Sequence, residues 1–219
     1  MNKLLSSLFA LAVASVTAFS VQAQEVKGDA KAAEQKIAMC IGCHGIKGYQ
    51  ASFPEIYKVP MISGQNAKYL SSALHAYQKG DRKHPTMRGI AASLTDQDIA
   101  DISAYYEQHG KTDAPAPVAT VPDAQVAELL KKGACISCHG DNFSKPIDPS
   151  YPKIAGQHKD FLFVALKSYK TENMATWGRN NGVMGGIAKQ FSNNELKALA
   201  NYVGSQNSEL KTVPQSKFR

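Results

Sequence analysis

Two short runs stand out by residue type and spacing, Cys40-Ile-Gly-Cys43-His44 and Cys135-Ile-Ser-Cys138-His139. Two thiols separated by two residues reach the two vinyl groups of a haem, and the histidine that follows is directed at the iron from the same face. A single such pentapeptide is also compatible with a redox dithiol, but two at matched places leave the dithiol and disulfide readings far behind. Zinc is disfavoured too, because each Cys-x-x-Cys-His cluster would need its remaining ligands from a second cluster, and each half of the chain holds only one. The spacing assigns Cys40 and Cys43 to one covalent haem c and Cys135 and Cys138 to a second, with His44 and His139 as proximal ligands.

The sixth ligand decides between carrying electrons and doing chemistry at the iron. The chain supplies the choice because it is one unit written twice. Pro60-Met-Ile-Ser-Gly64-Gln65 recurs as Pro152-Lys-Ile-Ala-Gly156-Gln157, and Met87-Arg-Gly-Ile90-Ala91 recurs as Met184-Gly-Gly-Ile187-Ala188. Met87 lies 43 residues after His44 and Met184 lies 45 after His139, which makes these two the distal ligands. Met61 and Met174 have no methionine partner in the other half, and Met39 adjoins Cys40, so all three read as core or surface residues. Among the remaining histidines, His75 and His158 are not equivalent in the repeat, His84 sits three residues before Met87, and His109 ends a helix. Each reads as an ordinary helix-surface histidine.

The elements that must position these groups are helical, with no alternating strand pattern. Segments 31–39 and 124–134 read as helices running into the cysteine motifs, and 66–79 and 158–170 carry apolar residues at helical spacing. Thr95-Asp-Gln-Asp98 and Ser192-Asn-Asn-Glu195 are capping-box starts for the last helix of each half. The fold class expected is all-α, two tandem domains each wrapped around one haem. Their bounds are 24–110 and 123–219, joined over 111–122 by a connector containing Ala114-Pro115-Ala116-Pro117. A unit of this size buries little apolar surface, and the macrocycle would supply the missing core.

Lys3 followed by an apolar stretch and Val21-Gln22-Ala23 reads as a signal peptide over 1–23, cleaved before Gln24; an uncleaved anchor or a lipoprotein fits less well. Export places the protein in the periplasm. The chain has 219 residues, 43% of them hydrophobic, and a net charge of +7. Residues 123–219 are the basic part, with 13 basic against 8 acidic side chains. The lysines are spread singly, without an arginine-rich stripe or interleaved aromatics, which argues against nucleic acid.

The order of Cys-x-x-Cys-His, Pro-Lys-Ile-Ala-Gly-Gln, an aromatic helix, Met-x-Gly-Ile-Ala and a capped final helix, given twice, resembles the dihaem cytochrome c4 family. That resemblance covers nearly all of the mature chain and implies two tandem class I cytochrome c domains with haem propionate edges facing each other. It implies His44 with Met87 and His139 with Met184 as ligand pairs. It further implies a monomeric periplasmic electron carrier, not an enzyme, which takes electrons from a quinol-oxidising complex and delivers them to a terminal oxidase, with loose membrane association left open. The competing reading is a dihaem cytochrome subunit of a periplasmic oxidoreductase, of the sulfide- or thiosulfate-oxidising or peroxidase type; a haem-based gas sensor is a third. In small c-type cytochromes a proline carbonyl accepts a hydrogen bond from the proximal histidine, a role open to Pro60 and Pro152 beside that of simple loop prolines. Arg82, Arg88 and Arg179 flank the methionine segments, either as propionate partners or as solvated surface. The chain departs from the family mainly at Pro60-Met61-Ile62-Ser63 and in a first-half loop, from His44 to Pro60, three residues longer than its counterpart.

Overall fold

The computed structural model describes residues 26–111, 120–171 and 174–214. The leader expected over 1–23 and residues 112–119 of the expected connector lie outside the described residues. Within each half, the last helix and the helix before the methionine segment cross and bury a core between them. In the first half α1 (Ala38–His44) carries the cysteine motif, and α2 (Ala67–Lys79) packs on α3 (Pro85–Ala92) and α4 (Asp96–Gln108). Their contact is made by Leu70 from α2 and by Ile102 and Tyr106 from α4, with Ile37 and Ile41 closing the cluster.

In the second half α5 (Ala124–Lys132) leads to the short α6 (Ile136–His139), followed by α7 (Lys159–Lys170), α8 (Gly182–Ala188) and α9 (Asn193–Ser205). Val126, Leu130, Leu162, Leu196 and Leu199 form its core. Both expected capping boxes are present. The Thr95 hydroxyl accepts from the Asp98 amide at 3.1 Å while Asp98 accepts from the Thr95 amide at 2.9 Å, and Ser192 with Glu195 repeats the arrangement at the start of α9.

Two expectations change. The helix expected over 31–39 is broken: a 3-10 turn occupies Ala32–Gln35, and the α-helix begins only at Ala38, so the cysteine motif lies inside α1 rather than after it. Asp29 tightens the turn by accepting from the amides of Lys31 and Ala32, while the Lys36 side chain is drawn to Asp98 and Asp101 on α4. Strands also exist, each of two residues, too short for alternation to show in a sequence. β1 (Gln50–Ala51) pairs antiparallel with β2 (Tyr57–Lys58) inside the first half. β3 (Arg82–Lys83) pairs antiparallel with β4 (Gly178–Arg179), and this pair joins the two halves.

The chain end adds a second joint. The Lys211 amide donates to the Ser63 carbonyl at 3.0 Å, so the tail of the second half lies along the turn before α2 of the first.

Candidate functional site

Each cysteine motif ends on a histidine whose ring is held from behind. His44 Nδ1–H donates to the Pro60 carbonyl at 2.8 Å, and His139 Nδ1–H donates to the Pro152 carbonyl at 3.1 Å. This fixes the tautomer and leaves Nε2 of each ring as the free donor for a metal. Burial lowers the pKa of both imidazoles, the prolyl carbonyls opposing the shift, so both rings are neutral as ligands must be.

The four cysteines are half-buried and unbridged. Burial pushes the Cys40 thiol up to about 11 and raises that of Cys135. A dithiol oxidoreductase needs the opposite shift.

Met87 and Met184 occupy the first turns of the short helices α3 and α8. Each backbone amide is capped from the residue three positions earlier. Met184 N–H donates to Asn181 Oδ1 at 2.9 Å and Met87 N–H to His84 Nδ1 at 3.4 Å. With Nδ1 an acceptor, His84 Nε2–H lies 3.0 Å from the Tyr57 hydroxyl, so both ring nitrogens are engaged in hydrogen bonds. This shared capping role of His84 and Asn181 escaped sequence reasoning, although their matched offset from the two methionines was a signal that could have found it.

Both histidines, both methionines and all four cysteines line one continuous cavity of about 570 Å³ that runs from one half into the other. Its walls are mainly apolar and aromatic, among them Tyr69, Leu70, Ile102, Leu162 and Leu199. Arg82 and Arg179 also line it, while Arg88 is exposed and does not. The buried Arg82 Nε has no hydrogen-bond partner among the described residues. A buried guanidinium with an orphaned donor fits a carboxylate-bearing group, and with paired thiols, a ring-anchored imidazole and a thioether in each half the residues fit haem.

A family model described as Cytochrome c matches residues 30–109 and again 124–207. The cytochrome c4 of Pseudomonas aeruginosa is 31% identical over 210 residues, spanning 93% of this chain and 98% of that one. The chain belongs to the cytochrome c family, in its dihaem cytochrome c4 branch. Reduced recombinant cytochrome c4 from Pseudomonas stutzeri superposes with a TM-score of 0.60 at 27% identity, over 82% of this chain and 100% of that one. The thiosulfate dehydrogenase electron acceptor of Stutzerimonas stutzeri is 29% identical over 80% of this chain and 81% of its own. As a dihaem member of this family the protein carries two covalently attached haem c groups in two cytochrome c domains, and its work is electron transport. No helix among the described residues is long and apolar enough to cross a membrane.

Proposed function

We propose that this chain is a one-electron carrier of the periplasm, without a catalytic site of its own, that accepts electrons from a quinol-oxidising complex and delivers them to a terminal oxidase. One observation carries the reading: each half brings a ring-anchored imidazole, a thioether and a pair of thiols to the wall of the same cavity. Haem, when bound, supplies a one-electron Fe(III)/Fe(II) couple. Cys40 and Cys43 would anchor the first group and Cys135 and Cys138 the second. His44 with Met87 would hold the first iron and His139 with Met184 the second. A thioether ligand favours the reduced iron, and a filled sixth position denies oxygen or peroxide a place to bind. The mature chain would be a monomer starting at Gln24, with domains 24–110 and 123–219 joined over 111–122, bounds that intact-mass measurement and limited proteolysis of the exported holoprotein test.

Carbon monoxide added to the fully reduced two-haem protein, followed by absorption, tests the ligation. Neither haem is expected to bind the gas in the wild type, and Met87→Ala or Met184→Ala is expected to open one haem each. Ready binding in the wild type would mean an open iron and move the protein to an enzyme or sensor.

A second reading, electron acceptor to a thiosulfate-oxidising enzyme, is favoured by the similarity to the Stutzerimonas stutzeri protein. Stopped-flow reduction by a thiosulfate dehydrogenase and by a quinol-oxidising complex, at equal ionic strength, separates the two by their rates.

A further inference from the structure

The Gly-Gln dipeptide that ends each repeated proline segment is not used by either haem's ligand set. Gln65 and Gln157 are both 4% exposed, an unusual depth for a neutral amide unless every polar atom is paired. They are paired, and across the two halves. Gln65 Nε2 donates to the Lys153 carbonyl at 2.9 Å, and its Oε1 accepts from the Lys153 amide at 2.9 Å. Gln157 Nε2 donates to the Met61 carbonyl at 2.9 Å, and its Oε1 accepts from the Met61 amide at 3.0 Å. The second lone pair of each Oε1 takes the amide of the next residue, Asn66 or His158, at 3.0 Å.

The reach depends on the glycine before each glutamine. Gly64 and Gly156 have φ of +86° and +62°, and their amides are fixed to the last helix of their own half, at Tyr106 O (2.8 Å) and Val203 O (2.9 Å). The left-handed turn, which glycine adopts without a Cβ penalty, aims the next side chain away from its own domain.

Met61 and Lys153 are the residues after Pro60 and Pro152. The Pro60 carbonyl and the Met61 amide therefore belong to one peptide group: its oxygen receives the proton of His44, and its N–H is given to Gln157 of the other half. His139, the Pro152–Lys153 peptide and Gln65 form the mirrored chain. An acceptor on the N–H side of a peptide polarises it and makes its carbonyl a stronger acceptor. A stronger acceptor behind the imidazole raises the basicity of the ring as a metal ligand.

We propose that the two glutamines are crossed positioning residues: Gln157 of the second half sets the proximal side, and so the reduction potential, of the first haem, and Gln65 of the first half does the same for the second haem. This rests on the ligation by His44 and His139 given above. A more basic imidazole stabilises the oxidised iron, so loss of either glutamine raises the potential of the haem in the opposite half.

The test is a redox titration of the two-haem holoprotein followed by proton NMR, in which the haem methyl signals report each haem separately. Gln157→Leu is expected to raise the potential of the haem on Cys40 and Cys43, changing its Fe(II)/Fe(III) ratio at fixed potential several-fold, with little change at the other. Gln65→Leu is expected to do the reverse. Gln157→Glu keeps an acceptor for the Met61 amide while losing the donor to its carbonyl, and is expected to return the potential to the wild-type value or below. A purely structural role would leave Glu as disruptive as Leu. If a Leu variant does not assemble with two haems, Gln157→Asn or Gln65→Asn, which withdraws the amide by one methylene, is read in its place. A shift confined to the haem of the variant's own half, an equal shift at both, or none overturns the proposal. Wild-type spectra lacking signals of a ligated methionine and imidazole would instead overturn the ligation itself, before any variant is compared.

Discussion

Arg82 and Arg179 stand directly opposite each other in the antiparallel pair β3–β4, each guanidinium 3.3 Å from a tyrosine hydroxyl of its own half, Tyr69 and Tyr169. Burial works to raise the Tyr69 phenol, but the two guanidiniums outweigh it and hold the phenol below its ordinary range. Two like charges at the joint of the halves are costly unless anions meet them, and Arg82 Nε has no partner among the described residues. Haem carboxylates would supply such anions. Arg82→Gln removes a positive charge from the surroundings of both irons, which disfavours the added electron. Both potentials are expected to fall, by on the order of 1 kcal/mol or roughly 40 mV per electron. Spectroelectrochemical titration of the holoprotein checks this; unchanged potentials would mean the charge is solvated.

Asp101 is one of the carboxylates whose pKa folding lowers. It is 2% exposed and accepts from the Asp29 amide at 2.8 Å, from Lys36 Nζ at 2.7 Å and from Gln97 Nε2 at 2.7 Å. Burial pushes its pKa up, but these donors together hold it below the ordinary carboxylate value. A depressed folded-state pKa contributes stability that is present above the unfolded value of about 4 and is lost as the pH falls through the folded value. Denaturant unfolding is therefore expected to show stability falling below about pH 4 in the wild type and a flatter profile in Asp101→Asn. At pH 7 that variant is expected to be less stable by about 1–3 kcal/mol.

Two glycines of similar backbone test how tightly the segment after α9 packs within the second half. Gly156 has φ +62°, and a Cβ there would lie 2.4 Å from Ser208 Cβ and 2.6 Å from the Gln206 carbonyl. Gly80 has φ +83° with open space around it. Gly80→Ala is expected to cost only the left-handed backbone penalty, about 1 kcal/mol. Gly156→Ala adds a clash with backbone and is expected to cost about 2–4 kcal/mol. Thermal melts of the holoproteins should separate them, at roughly 2–4 °C per kcal/mol for a chain of this length. Equal losses would show that the segment around Ser208 yields.

What the sequence made legible was local or repeated. Cys40, Cys43 and His44 announce themselves by spacing, Met87 and Met184 by matched positions, and the last helices by hydrogen bonds between residues three apart. Pro60 and Pro152 were readable as candidates because they recur at one place, and the geometry singles out their carbonyls. What stayed hidden depends on docking. No property of the β3 or β4 segment alone foretells that the two pair. Gln65 and Gln157 look like loop residues until the other half is beside them. Choosing Arg82 and Arg179 over Arg88 likewise needed the position of the cavity wall. The break before α1 was missed because it follows from Lys36 reaching Asp98 and Asp101, some 60 residues along the chain.

Over the β3–β4 pair and the two crossed glutamines, the joint between the halves is that of an isologous dimer, in which each side makes the other's contact in return. Its ion pairs are not. Lys68 and Asp160 stand at equivalent positions of the repeat, and Lys68 meets Asp148 while Asp160 meets Lys58. Two copies of the first half would set Lys68 toward Lys58, and two copies of the second would set Asp160 toward Asp148. Each pair is partly exposed and individually weak, but each wrong pairing would turn both attractions into repulsions at once. At these two positions the charges thus give an otherwise two-fold joint a direction, since either half set against a copy of itself would bring like charges together.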